Sequence, residues 1–157
     1  MKKFELTNEF ITNMFGTKLF RIRALVEFGD VEAGELGGYV EKESNLGHDD
    51  NAWVYDNAWV YGNAWVYGNA LVCSDEDYAY AHGFGSVNRT TTFFRLKDGG
   101  VGVRCGCFYG TLAQFRDKIR ETHGETKKAQ EYLMLADLME LRFEEDENEV
   151  GNRKYVE

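Results

Sequence analysis

The sequence predicts an α+β, mainly β fold built on a short parallel β-helix, with strands capping its start and a β-hairpin and two helices behind it. Three observations carry this. Residues 51 to 74 spell NAWVYD, NAWVYG, NAWVYG and NALVCS, four copies of one hexad. A fixed period of six, with a small residue and an aliphatic two apart, is the pattern of a parallel β-helix. TTFFRL and VGVRCGC flank KDGG, a hairpin signal. Two helical periodicities follow, the first opened by a capping box.

Residues 1–37 form the cap. KFEL and LFRIRALVEF read as strands, the second with Phe20, Ile22 and Ala24 on one face and Arg21 and Arg23 on the other. NEFITNMFGT between them reads as an apolar connector that covers the open end of the solenoid. Residues 38–83 form the repeat unit. Side chains two apart on a strand share a face, so Val54, Val60, Val66 and Val72 point inward together with Ala52, Ala58, Ala64 and Ala70. Gly62-Asn63 and Gly68-Asn69 supply the corners, with Asp56-Asn57 and Ser74-Asp75 as substitutes. Val40 and Leu46 extend the frame backwards, His48 to Asp50 being a corner insertion, and Tyr78 extends it forwards; the whole makes about two and a third coils.

Residues 84–143 hold the hairpin and two helices, after a loop expected in YAYAHGFGSVN around Phe84. Thr111 to Gln114 is the capping box, with Leu112, Phe115 and Ile119 on one face of a helix that ends at Gly124. The second helix runs from about Thr126 to Phe143, its stripe formed by Ala129, Tyr132, Leu133, Ala136 and Met139. Leu135, Leu138 and Leu141 lie beyond that stripe and call for a second packing partner. Residues 144–157, with EEDENE, read as a solvated, disordered acidic tail or, alternatively, as a mimic of a phosphate backbone.

The hexads resemble the left-handed parallel β-helix of the hexapeptide-repeat proteins, which stack three hexads per triangular coil. The resemblance implies a left-handed β-helix in which Leu71 lies over Trp53, one coil on. It departs where that family has a small residue after the aliphatic, because Tyr55, Tyr61 and Tyr67 stand there. The flanks GDV..GELGGYV…NL and TTTFFRLKDGGVGVRCGCFYGTLAQF…ETHG resemble small proteins encoded in bacteriophages and prophages, with variable numbers of NAxVYG hexads between the same flanks. That resemblance implies a phage protein acting against host defence.

Composition narrows the classes. The 157 residues suit one compact unit, and no apolar run is long enough to span a membrane. MKKFELTNEF has no signal-peptide core, and Cys73, Cys105 and Cys107 form no disulfide framework, so the host cytoplasm is expected. The formal charge of −9 disfavours nonspecific nucleic-acid binding, where Lys and Arg must neutralise phosphates.

Chemistry is sparse. The hexapeptide resemblance implies, as an alternative function, an acyltransferase using acyl-CoA, with His48 or His82 as general base. His123 reads as a helix C-terminal cap. Cys73, His82, Cys105 and Cys107 could form a zinc set, although Cys105 and Cys107 fit one packed strand face better. Neither a metal nor any cofactor is expected, and the chain reads as non-enzymatic.

The tryptophans and tyrosines carry the functional expectation. Trp53, Tyr55, Trp59, Tyr61, Trp65 and Tyr67 form an outward girdle, covered by the chain itself, by a second subunit of a homodimer or homotrimer, or by a ligand. In the last case they would stack a base while Arg21, Arg23, Arg95 or Arg104 hold its phosphates. Two targets stay open: a small anionic, nucleotide-type signal that is sequestered, or a host defence protein, such as a CRISPR effector, that is blocked.

Overall fold

The structure is a computed structural model that describes residues 2–85 and 89–144. Strand β1 (Phe4–Thr12) and β2 (Lys18–Ala24) form an antiparallel hairpin, and β3 (Leu36–Val40) pairs antiparallel with β2. The repeats contribute three strands of two residues each: β4 (Trp53–Val54), β5 (Trp59–Val60) and β6 (Leu71–Val72). A second antiparallel sheet is built from β7 (Tyr78–Phe84), β8 (Arg89–Arg95), β9 (Val101–Cys105) and β10 (Phe108–Thr111), in the order β10-β9-β8-β7. Helices α1 (Leu112–His123) and α2 (Lys127–Phe143) follow.

The left-handed parallel β-helix is not formed, and this corrects the expected fold. Among the described residues the strands fall into three separate sheets, none closed and none a solenoid. Parallel contact between repeats is confined to β3 with β5, β4 with β6, and a single bridge from Leu46 to Val66. The reason lies in strand length. No hexad has more than two ladder residues, the third has only Val66, and Asp56, Gly62 and Gly68 turn at the corners with positive φ. Strands that short cannot propagate a sheet, so β5 is captured by the edge of β3 instead.

The inward positions do match the hexad. Val54, Val60, Val66 and Val72 are completely buried, the four alanines nearly so, and Trp53 pairs with Leu71. They join Phe4, Ile22, Trp53, Tyr78 and Phe94 in one core. A second core lies between the four-stranded sheet and the helices, around Phe93, Val103, Phe115, Tyr132 and Phe143. The sheet thus has its two faces committed to different partners. Phe93 and Val103 face the helices, whereas Phe94 faces the repeats.

Three local expectations need correction. NEFITNMFGT is no connector, because β1 continues to Thr12 and only Asn13 to Gly16 turn. Of the expected loop, Tyr78 to Phe84 forms strand β7, its pairing with β8 interrupted by one irregularity after His82; Gly85 turns, and residues 86–88 lie outside the described residues. The KDGG hairpin is present as β8 and β9, but as the middle of a larger sheet.

The helices follow the sequence closely. Thr111 and Gln114 make the capping box, and Thr126 caps α2. Leu135 packs partly into the helix core, whereas Leu138 and Leu141 stay exposed beside Met134. The acidic tail beyond Glu144 lies outside the described residues. No described helix is long and apolar enough to cross a membrane.

Candidate functional site

The ten side chains nominated for ligand or partner binding do not converge on one site. Trp53 is wholly buried, meeting Phe4 and Phe28 edge-on at 6.4 and 5.3 Å between ring centres, so it belongs to the core and not to a girdle. Tyr55 is half-buried at a cavity of about 400 Å³ that it shares with Asn51, Asn69 and the ion pair of Asp30 and Lys97. Trp59 is half-buried and its backbone N–H donates to Asp75. Tyr61 is exposed.

Three of the four arginines are already neutralised. Arg21 pairs with Glu9, lies over Tyr39, and donates to the Gly37 carbonyl and the Tyr39 hydroxyl. Arg23 pairs with Glu5. Arg95 is buried and donates to Asp77 at 3.1 Å, under the ring of Phe143. An arginine committed to a carboxylate has little charge left for a phosphate.

Arg104 differs. Its guanidinium lies 4.1 Å from the centre of Trp65 and 4.4 Å from that of Tyr67, and its buried Nε has no hydrogen-bond partner. The strand register explains the position. Tyr80, Thr92, Arg104 and Tyr109 are cross-strand neighbours in one row over the repeat-facing side of the sheet. Thr92 accepts from the Trp65 N–H at 3.0 Å, and Tyr109 accepts from the Asn69 N–H and packs edge-on against Tyr67. At Gly68 a Cβ would fall 2.0 Å from the Tyr109 oxygen, so only glycine fits there. Tyr80, Thr92 and Tyr109 were missing from the sequence expectation. Their alternation was visible, but which hexads they would meet was not.

The histidines proposed for acyl transfer have structural partners. His48 stacks on Phe4 at 4.3 Å and accepts from the Lys3 N–H through Nδ1 at 3.1 Å. His82 Nδ1 lies 2.7 Å from the Thr90 hydroxyl. Cys105 accepts from the Thr91 hydroxyl on the helix side, and among the described residues no three His, Cys, Asp or Glu groups are placed to hold a metal ion.

Burial raises the phenols of Tyr55, Tyr78 and Tyr132; for Tyr132 the neighbouring Cys105 adds to the effect and its pKa is pushed up to about 12. An unfolded phenol ionises near pH 10, so above that pH the unfolded chain binds fewer protons than the native one. Stability present below about pH 10 is therefore expected to be lost as pH rises towards about 12. Buried Lys3, whose amine is pushed down, acts in the opposite direction and adds stability as pH rises towards its unfolded value of 10.5. Thermal midpoints measured at about pH 9, 10 and 11 should fall most over the last interval, and less in Tyr132→Phe. A midpoint that is flat or rises to pH 11 contradicts the assignment.

Compared with protein-family models and with curated proteins, the chain matches none.

Proposed function

We propose that this is a non-enzymatic, phage-encoded binding protein that acts in the bacterial cytoplasm by blocking a host defence protein, and that the tip of the β1–β2 hairpin makes the contact. The observation that carries this is the tip itself. Met14 and Phe15 are 89% and 86% exposed, the two most exposed large apolar side chains among the described residues. The turn that presents them is held in place. Asn13 Oδ1 accepts from the Phe15 and Thr17 N–H groups at 2.9 and 3.0 Å, and the Asn13 carbonyl accepts from Gly16. A preformed turn loses little entropy on docking, and Met and aromatic side chains are favoured at interface centres. The net charge of −9 favours an apolar pocket with a basic rim over an anionic lipid or nucleic-acid surface.

Sequestration of a small anionic nucleotide is the second reading, favoured by Arg104 and the open face of Trp65. One experiment separates the two. Native mass spectrometry of the protein from a host extract should show a stoichiometric protein complex, and Met14→Ser/Phe15→Ser should weaken it about thirtyfold or more while the thermal midpoint barely changes. A complex indifferent to that double substitution overturns the hairpin reading. Retained mass in the nucleotide range that disappears in Arg104→Ala moves the function to the second.

A further inference from the structure

On the helix side of the sheet, opposite Arg104, a cleft of about 290 Å³ opens where the β9–β10 turn meets α1 and the start of α2. Three of its walls carry Arg89, Lys118 and His123, and its apolar lining includes Phe108, Ile119 and Tyr132. No acidic residue lines it, and no carboxylate of the described chain pairs with Arg89, Lys118 or His123. By contrast, Arg116 on the same helix pairs with two carboxylates. Grouped cations without counter-charge repel one another unless an anion joins them.

The groups are also positioned without carboxylates. Arg89 lies against the β9–β10 turn, where a Cβ at Gly106 would stand 1.7 Å from Nη1, so the absence of that Cβ permits the approach. The charge of Arg89 is felt at the Tyr132 hydroxyl. His123 stacks on the Tyr132 ring at 5.9 Å, which fixes the plane of its ring nitrogens, and Ile119 and Tyr132 are themselves held in the helix core. The result is a rim of N–H donors above an apolar floor, the arrangement of a small-molecule site.

We propose that this cleft binds a small organic phosphate, its head held by Arg89, Lys118 and His123 and its apolar body laid on Phe108, Ile119 and Tyr132. A phosphomonoester carries about −1.5 to −2 charges near neutral pH and three acceptor oxygens, which matches several cationic donors where a carboxylate would leave charge uncompensated. The volume suits one ring or a short chain. The site is independent of the hairpin tip, so it stands or falls separately from the defence-blocking function.

Phenyl phosphate, followed by calorimetry and by amide shifts of the full-length protein, is the probe. It should bind saturably, about tenfold tighter than inorganic phosphate, and Arg89→Ala and Lys118→Ala should each weaken it about tenfold. Both positions are exposed, so the variants should keep the parent thermal midpoint. Cys107, at the edge of the same cleft, gives a second readout: bound phenyl phosphate should slow its alkylation and leave that of exposed Cys73 unchanged. No saturable binding at millimolar probe, parent affinity retained in both variants, or binding that leaves Cys107 alkylation unaltered would each overturn the proposal.

Discussion

Trp53→Ala is expected to cost about 3–5 kcal/mol of unfolding free energy, the range for removing a large aromatic from a packed core. The side chain has no exposed surface and sits between the β1–β2 sheet and the repeats, against Phe4 and Phe28. Its ring also lies so close to β3 that a Cβ at Gly37 would come within 2.8 Å of Cζ2. Little can collapse into the space it leaves, because the neighbouring strand is backbone. With domains of this kind stable by about 5–15 kcal/mol, such a loss approaches unfolding. The indole N–H has no acceptor, so Trp53→Phe removes a buried unpaired donor together with some volume and should cost markedly less. Half-buried Trp59→Ala should also cost less. Urea denaturation of the three variants checks the order. A loss below about 1 kcal/mol in Trp53→Ala would mean that the girdle position is a surface position after all.

How much of this was legible depends on whether a feature is set locally. The inward valines and alanines could be read because strand alternation alone fixes them, and the Thr111 and Thr126 caps because a cap is a four-residue device. Sheet membership could not. A hexad with at most two ladder residues supports several pairings, and β5 pairs with the edge of β3, whose other edge is held by β2. The same limit applied to Tyr78 to Phe84, where the glycines suggested a loop but the Tyr–Ala–Tyr–Ala alternation matched the register of β8.

The candidate site divides along the same line. The expectation was aromatics that stack a base and arginines that hold its phosphates; of the four arginines, Arg104 lies over two of those aromatics, Trp65 and Tyr67. Which arginines would be spent on Glu5, Glu9 and Asp77 depended on tertiary pairing that no spacing encodes. Arg89, Lys118 and His123 stand far enough apart in sequence that only the return of α1 and α2 over the sheet unites them. Met14 and Phe15 were hidden in a stretch that looked like a cap, although Asn13 and Gly16 already marked a turn.

Asp77→Ala is the other substitution expected to cost about 3–5 kcal/mol, through removal of a buried charge rather than of volume. DED at Asp75 to Asp77 looks like surface charge, yet Asp77 is 5% exposed. One carboxylate oxygen accepts from the Cys73 and Ser74 N–H groups at 2.9 and 3.2 Å, closing the last hexad; the other accepts from Arg95 on β8. The residue therefore ties the repeats to the second sheet, and alanine takes an acceptor from two backbone donors and a counter-charge from a buried guanidinium at once. Asp77→Asn keeps an acceptor for the N–H groups but loses the charge facing Arg95, so its loss should be intermediate. Arg95→Met on top of Asp77→Ala should recover part of the stability, because an apolar pair no longer has a charge to desolvate. Salt discriminates further. The buried pair is shielded little, so the Asp77→Ala deficit should persist at about 1 M salt, whereas any contribution of the exposed Lys2 and Glu43 pair should vanish there. A deficit that disappears in salt, or a double variant no better than Asp77→Ala, would mean that Arg95 is not held by this carboxylate and could again be counted among the cations open to a ligand.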